Sequence, residues 1–183
     1  MHRRTFLTSA LAATALPCMV EAQAAPFDPR PQFVRIKEQF APGQMLIVPR
    51  QYYLYFVTED RRAIRYGVGV GRAGLEFQGT ATIDVKKEWP TWRPTPEMIE
   101  RDPVTYQRFI GNENADPGGP SNPLGARALY LFQDGKDTFF RIHGTNQPSS
   151  IGQSVSNGCI RMINEHVIDL YDRVPIGTVV TVL

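Results

Sequence analysis

The sequence predicts a mainly β domain, a sandwich or barrel with one packed helix. Three observations support this class. The 183 residues include 15 Gly and 15 Pro, more than a tight helical bundle tolerates. Several short runs are rich in Val, Ile, Tyr, Phe and Thr, and Gly or Pro separates most of them. A helical pattern of apolar residues with clear limits occurs near the C-terminus.

Seven segments have the composition and length of β-strands. The run that starts at Tyr52 is apolar on both faces, as expected for a strand inside a sheet. The predicted strands are Met45–Val48, Tyr52–Thr58, Ile64–Val70, Thr80–Val85, Ala128–Phe132, Thr138–His143 and Thr178–Leu183. With 42% hydrophobic residues and this length, we expect one domain with its own core.

The predicted helix begins near Asn164, which we expect to cap it, and Glu165 favours its first turn. Pro175 and Gly177 end it. The apolar stripe at i, i+3, i+4 and i+7 is Val167, Leu170, Tyr171 and Val174. We therefore expect this helix to pack against the sheet.

The N-terminus has the layout of a cleaved export signal. Arg3 and Arg4 precede a short apolar stretch, and Ala22-Gln23-Ala24 fits a small-x-small cleavage site. The Arg-Arg-Thr-Phe-Leu order resembles a twin-arginine signal. We predict a signal peptide over residues 1–24, a linker over residues 25–42, a periplasmic location and no membrane span after cleavage.

Cleavage would remove Cys18 and leave Cys159 as the single cysteine, which cannot pair within the chain. A lone accessible thiol outside the cytoplasm is open to oxidation. Cys159 is therefore either buried and inert or retained for its chemistry.

Residues 89–124, called the lid segment below, differ from the rest of the chain. Trp89 and Trp92 stand among prolines, and a short helix is predicted around Glu97–Ile110. Insertions of this length in small β domains are usually lids or disordered. The tryptophans favour an ordered lid, whose aromatic groups would stack on or enclose an extended substrate.

Two classes of ligand are not expected. A net charge of +2 is too small to drive nucleic-acid binding. Gly69 to Gly74 fits the G-x-G-x-x-G pattern of dinucleotide sites, but a β-like run follows it instead of the required helix. We interpret this segment as a glycine-rich turn between strands and infer no cofactor.

His143 and Cys159 are the candidate chemical pair. A thiol near its usual pKa of about 8.5 is mostly protonated at neutral pH, so a nucleophilic cysteine needs a nearby base or cation. His143 could accept the proton, and Arg161 adds positive potential. Gly158 lets the backbone come close to a substrate carbonyl, so amides near Cys159 could bind an oxyanion.

The histidines, the cysteine and the serines also have other interpretations. His143 could be a structural histidine at a strand end, and we expect His166 to be a surface or packing residue on the helix. One cysteine and two histidines are too few for a zinc site, so no metal is predicted. The signatures Ser-x-x-Lys and G-x-S-x-G do not occur, which argues against a serine acyl-enzyme.

The run from His143 to Ser156-Asn157-Gly158-Cys159-Ile160-Arg161 resembles the active-site signature of the L,D-transpeptidases, the YkuD-type catalytic domain. That family has a His about sixteen residues before a Cys in a Ser-His-Gly-Cys segment that ends in Arg or Asn. The likeness covers residues 43–183 and implies a YkuD-like β-sandwich or barrel of mixed sheets with a lid insertion. Asn157 departs from it, because the family usually has His there.

The resemblance implies a mechanism. Cys159 would attack the third residue of a peptidoglycan tetrapeptide stem, His143 would move the proton, and the Gly144 carbonyl would orient its ring. The oxyanion would rest on amides around Gly158 and Cys159. Ser156 would shape the loop, and Arg161 would either fix a substrate carboxylate or brace the loop. The thioester would pass to an amine of a second stem or of an envelope protein.

Three alternatives remain at this point. Water as the acceptor gives an L,D-carboxypeptidase that acts on the same bond. A wall-binding module that lost turnover is a second alternative, and Asn157 is its only hint. A cysteine peptidase or amidase with other substrates is the third.

Overall fold

The computed structural model describes residues 26–183. Within this range the chain forms eleven strands and two α-helices, with few residues in helices. These are β1 (Gln32–Arg35), β2 (Met45–Val48), β3 (Tyr53–Glu59), β4 (Arg62–Gly67), β5 (Val70–Gly71), β6 (Gly79–Glu88), α1 (Pro96–Arg101), β7 (Arg127–Gln133), β8 (Lys136–His143), β9 (Ser154–Ser156), β10 (Ile160–Arg161), α2 (Asn164–Arg173) and β11 (Val179–Val182).

The main sheet has nine strands and is mixed. Its strands lie in the order β1-β4-β3-β2-β11-β6-β7-β8-β10. Neighbours are antiparallel except for β11 beside β2 and β10 beside β8, which run parallel. The last strand along the chain therefore lies inside the sheet, between β2 and β6. The β5 and β9 strands form a separate parallel pair. This architecture confirms the predicted mainly β fold of mixed sheets.

Helix α2 packs on the sheet as predicted. Val167 and Leu170 of its apolar stripe are fully buried in the core. Tyr66 of β4 is also fully buried, and its hydroxyl donates a hydrogen bond of 2.6 Å to Asp169 of the helix. Because a buried hydroxyl needs a partner, this bond fixes where the helix sits on the sheet.

The start of α2 was predicted correctly, but the role of Asn164 was not. The N-cap residue is Ile163, and no side chain caps the helix. The Asn164 side-chain oxygen instead accepts hydrogen bonds from the backbone N–H groups of Ala126 (3.0 Å) and Thr145 (3.1 Å). Asn164 therefore joins two loops that are distant in sequence.

The predicted strand Ile64–Val70 is shorter than expected. Its β4 part ends at Gly67, because Gly69 no longer pairs with β3 and instead pairs with Arg161 of β10 through two backbone hydrogen bonds of 2.8 and 2.9 Å. A Cβ atom at Gly69 would lie 2.5 Å from the Ser150 carbonyl oxygen, so only glycine fits there. The glycine-rich segment thus runs beside the loop that carries Cys159.

The interpretation of residues 25–42 as a linker is wrong for part of that range. Strand β1 lies in it and pairs antiparallel with β4 at the edge of the main sheet. Pro31 precedes the strand and removes no hydrogen bond of the ladder. The Gly67 N–H also donates to the Pro29 carbonyl oxygen (3.1 Å). The predicted signal peptide lies outside the described residues.

The lid segment is folded. The helix predicted over Glu97–Ile110 is split into α1 and a short 3-10 turn at Gln107–Phe109, because Pro103 cannot continue a helix. Arg93 holds the segment together by donating to three of its backbone carbonyls, those of Phe109, Asn112 and Asn114. In the part of the chain from residue 26 onward, no helix is long and apolar enough to cross a membrane.

Candidate active site

A cavity of about 660 Å³ lies between the lid segment and the loops that follow β8 and β9. The lid segment contributes apolar, aromatic and charged side chains to one wall. The side chains that line the cavity include those of Trp92, Met98, Arg101, Tyr106, Phe139, His143, Ser156, Asn157, Cys159 and Arg161. Most of the residues singled out in the sequence therefore meet in one cavity.

The parallel pairing of β8 and β10 brings the two ends of the sequence signature together. Ile160 lies opposite Ile142, and Arg161 lies opposite His143. The Met162 N–H extends this pairing by donating to the His143 carbonyl oxygen (2.8 Å). Arg161 and His143 are direct neighbours across this pairing and share one face, and Cys159, two residues before Arg161, lines the same cavity as His143.

His143 is buried, with 4% of its surface exposed. Its Nδ1 atom lies 2.6 Å from the Gly144 carbonyl oxygen. A carbonyl only accepts, so Nδ1 carries the proton of the neutral ring and Nε2 has a free lone pair. Burial lowers the pKa of His143 to about 4, with help from the charges of Arg161 and Arg141 and against the Gly144 hydrogen bond. The ring is therefore neutral at pH 7 and can accept a proton.

Cys159 is partly exposed in the cavity. Burial raises the pKa of its thiol above the ordinary value, although the Arg141 backbone and the charges of Arg141 and Arg161 act in the opposite direction. The thiol bonds to the Phe139 carbonyl oxygen at 3.9 Å and not to the His143 ring. Both pKa shifts favour a neutral thiol and a neutral imidazole over a thiolate–imidazolium pair.

Ser156 shapes the loop before Cys159. Its buried hydroxyl donates to the Cys159 carbonyl oxygen (2.6 Å) and accepts from the Gly158 N–H (3.1 Å). Gly158 has a φ of +123°, and a Cβ there would lie 2.5 Å from the Leu75 carbonyl oxygen and 2.5 Å from Phe140. The Gly158 amide expected in the oxyanion site is therefore already bonded, whereas the Cys159 N–H has no hydrogen-bond partner among residues 26–183.

Asn157 connects the loop to the lid segment. Its side-chain oxygen accepts from Arg72 (2.7 Å) and from Arg101 of α1 (3.1 Å). Its side-chain nitrogen donates to the Tyr106 hydroxyl (3.2 Å). Arg161 lines the same cavity, and its Nε atom is buried without a partner in the described chain. Its backbone, not its guanidinium, forms the contacts that brace this loop.

The two tryptophans of the lid segment differ. Trp92 lines the cavity and packs against Tyr106 and Phe109 at ring-centroid distances of 6.1 and 5.7 Å. Trp89 lies outside the cavity wall with 44% of its surface exposed, and its backbone N–H donates to the Ala126 carbonyl oxygen at the base of the segment. Of the two tryptophans expected to enclose a substrate, Trp92 lines the cavity and Trp89 does not.

Sequence reasoning missed three residues of the site. Arg101 and Tyr106 carry no motif, and only the folded lid segment brings them to Asn157. Phe139 lines the cavity with a φ of +61° and 67% exposure, and no pattern marks this strained backbone. Among residues 26–183 no group of three or more His, Cys, Asp or Glu could hold a metal ion, and His166 lies on α2.

Sequence comparisons give one family. The YkuD model, described as the L,D-transpeptidase catalytic domain, matches residues 43–182. The chain is 32% identical over 159 residues to the "Probable L,D-transpeptidase ErfK/SrfK" of Escherichia coli, covering 84% of this chain and 47% of that protein. It is 47% identical over 140 residues to YkuD of Bacillus subtilis, covering 76% and 75%. The chain thus spans about half the length of the first of these relatives.

Solved structures share the fold. A Brucella melitensis protein named "Probable carnitine operon oxidoreductase caia" is 57% identical, with 85% of this chain and 93% of that chain covered and a TM-score of 0.58. L,D-transpeptidase 3 of Mycobacterium tuberculosis is 15% identical over 75% of this chain and 58% of that chain, with a TM-score of 0.56. The second likeness concerns the fold alone.

Proposed function

Because the chain belongs to the YkuD family of L,D-transpeptidase catalytic domains, we propose that it is a peptidoglycan L,D-transpeptidase that uses Cys159 as its nucleophile. The observation that carries this proposal is the β8–β10 pairing, which brings His143 and the loop that carries Cys159 to one cavity. General-base activation of a nucleophile needs such a cavity, with a buried neutral base and a partly exposed thiol.

In the first half of the proposed reaction, the Cys159 sulfur attacks the carbonyl carbon of the third residue of a tetrapeptide stem. Its proton passes to His143 Nε2 as the bond forms. The tetrahedral intermediate then collapses to a thioester, the C–N bond to D-alanine breaks, and His143 returns the proton to the leaving amine. The Cys159 N–H, which makes no hydrogen bond within residues 26–183, donates to the oxyanion.

In the second half, an amine attacks the thioester and gives its proton to His143, and the sulfur regains a proton as it leaves. A side-chain amine of a second stem gives a 3→3 cross-link, and an amine of an envelope protein gives protein anchoring. The wall made by Trp92 and Met98 supports transfer to an amine, because an apolar cover over the thioester limits attack by water.

The location proposed is the periplasm. The basic start, short apolar stretch and cleavage site of residues 1–24 support export, and the substrate lies outside the cytoplasm. Localisation of a tagged chain with and without Arg3 and Arg4 tests this part. Retention of the tagged chain in the cytoplasm in both cases would contradict it.

The activity is tested by mass spectrometry of the products formed from a disaccharide-tetrapeptide. We expect loss of D-alanine together with a cross-linked dimer. Loss of D-alanine without a dimer under amine-rich conditions supports the carboxypeptidase, and binding without release supports the module. Cys159→Ala is expected to abolish release, whereas the control Ser149→Ala, an exposed serine outside the cavity wall, keeps it. Full release by Cys159→Ala would contradict the assignment of the nucleophile.

A further inference from the structure

Two guanidinium groups from different parts of the fold meet at one amide oxygen. Arg72 follows β5, and Arg101 ends α1 in the lid segment, yet both donate to Asn157 Oδ1, at 2.7 and 3.1 Å. Like charges repel, so such a convergence is stable only around an acceptor. An amide oxygen carries a partial charge, whereas a carboxylate would carry a full one and offer two oxygens.

Neither arginine has a carboxylate partner in residues 26–183, because neither forms one of the salt bridges there. Two carboxylates feel the charges of these arginines. The charge of Arg101 helps to lower the pKa of Glu97, and the charge of Arg72 helps to lower the pKa of Asp102. The Asp102 carboxylate, however, accepts from the Thr105 N–H. Neither Glu97 nor Asp102 forms an ion pair within residues 26–183, so both guanidiniums are left with the neutral Asn157 oxygen, and Arg101 and Asn157 line the cavity.

Asn157 suits this position better than the histidine usual in the family. Its oxygen accepts from Arg72 and Arg101 together, while its nitrogen donates to the Tyr106 hydroxyl. A neutral imidazole has a single acceptor nitrogen and could not serve two guanidiniums in this way. In this chain Asn157 is therefore suited to the pair of arginines.

We propose that Arg72 and Arg101 form a carboxylate-binding subsite, which Asn157 Oδ1 occupies until a carboxylate of the substrate takes its place. Since Asn157 lies two residues before Cys159 and lines the same cavity as Arg101, the bound carboxylate belongs to the molecule that reacts at Cys159. The subsite rests on the proposed function for its ligand, a stem peptide. Such a peptide carries a carboxylate at its C-terminus and others on its side chains.

The bound carboxylate would bridge the lid segment and the turn after β5. Arg101 belongs to the first and Arg72 to the second, and Arg72 now contacts the loop before Cys159 through Asn157. Arg161, whose Nε atom is buried without a partner in the described chain, adds positive potential on the same wall. The subsite would therefore select substrates with a free carboxylate over neutral analogues.

The test is a binding measurement that needs no turnover. Isothermal titration of the full chain carrying Cys159→Ala compares three tetrapeptide stems: the free acid, the C-terminal amide and the side-chain amide of the third residue. We expect one amide to bind about tenfold more weakly than the free acid. The amide that loses affinity identifies which carboxylate is bound.

Variants separate the subsite from general electrostatics. Adding Arg101→Gln should remove the difference between acid and amide, and Arg101→Lys should restore part of it. Arg108→Gln is the matched control, since Arg108 is also in the lid segment but pairs with Asp116 and does not line the cavity. Circular dichroism identifies any variant that fails to fold. If Arg101→Gln does not fold, Arg101→Lys is compared with the parent chain instead.

The outcomes are distinct. Equal Kd values for the acid and both amides, or no binding of the free acid, overturn the subsite. A tenfold difference that survives Arg101→Gln also overturns it. D-alanine release by the unmodified chain is measured separately. D-alanine release together with equal Kd values refutes the subsite and leaves the proposed activity standing. Weaker binding of an amide without D-alanine release refutes the proposed activity and leaves the subsite standing.

Discussion

At the scale of single residues, the state of His143 is set by its surroundings. Burial disfavours the charged form of the ring, and the positive charges of Arg161 and Arg141 disfavour it further. The pKa of His143 therefore falls to about 4. That His143 and Cys159 form a candidate pair could be predicted from their residue types and spacing in the sequence. The burial could not be predicted, because it depends on which strands become neighbours, and the Gly144 hydrogen bond was expected only from the family resemblance.

This state predicts the acid limb of the pH profile. Neutral His143 is the active form, so kcat/KM for D-alanine release should stay high at pH 5 and fall as the pH drops through about 4. Arg161→Gln removes a charge that lowers the pKa of His143, so the limb should move to higher pH.

The measurement is kcat/KM between pH 3.5 and 8, for conditions in which the protein stays folded. Arg173→Gln, a change of the same kind on the outer face of α2, is the control and should leave the limb in place. A limb near the ordinary histidine pKa of about 6.5 would contradict the assignment.

At the scale of elements, Asn164 shows why a local sequence pattern can predict the wrong side-chain contacts. Its place at the start of an apolar stripe is typical of a helix cap, and the helix does begin there. Its side chain, however, bonds to Ala126 and Thr145, which lie 38 and 19 residues away along the chain. The short strands β9 and β10 were missed for a similar reason, since their pairing depends on β5 and β8 and not on their own composition.

Asn164→Ala tests this role. The change leaves two backbone N–H groups without an acceptor, one of them in the loop that follows His143. We expect the free energy of unfolding to fall by about 2 kcal/mol. We also expect kcat for D-alanine release to fall more than KM rises, because Gly144 would no longer hold the His143 ring in place.

Chemical denaturation and steady-state kinetics measure these two effects. Glu165→Ala is the matched control, because Glu165 is the next residue in α2 and its side chain is exposed. Unchanged stability and kcat in Asn164→Ala would refute the idea that this residue positions the site.

At the scale of the whole molecule, the site exists because of the strand order. The strands from β2 to β8, apart from the short β5, were predicted with small errors at their ends, since each carries its own pattern of apolar and turn residues. The placement of β11 between β2 and β6, and of β10 beside β8, has no local signal. Only this order and the folded lid segment create the cavity around Cys159.

Intact-mass spectrometry of the chain during turnover of a tetrapeptide stem tests the central claim most directly. We predict an adduct with the mass of the stem minus D-alanine, located on the peptide that contains Cys159 and released by hydroxylamine as expected for a thioester. D-alanine release with no adduct at Cys159, or an adduct on another residue, would contradict the account.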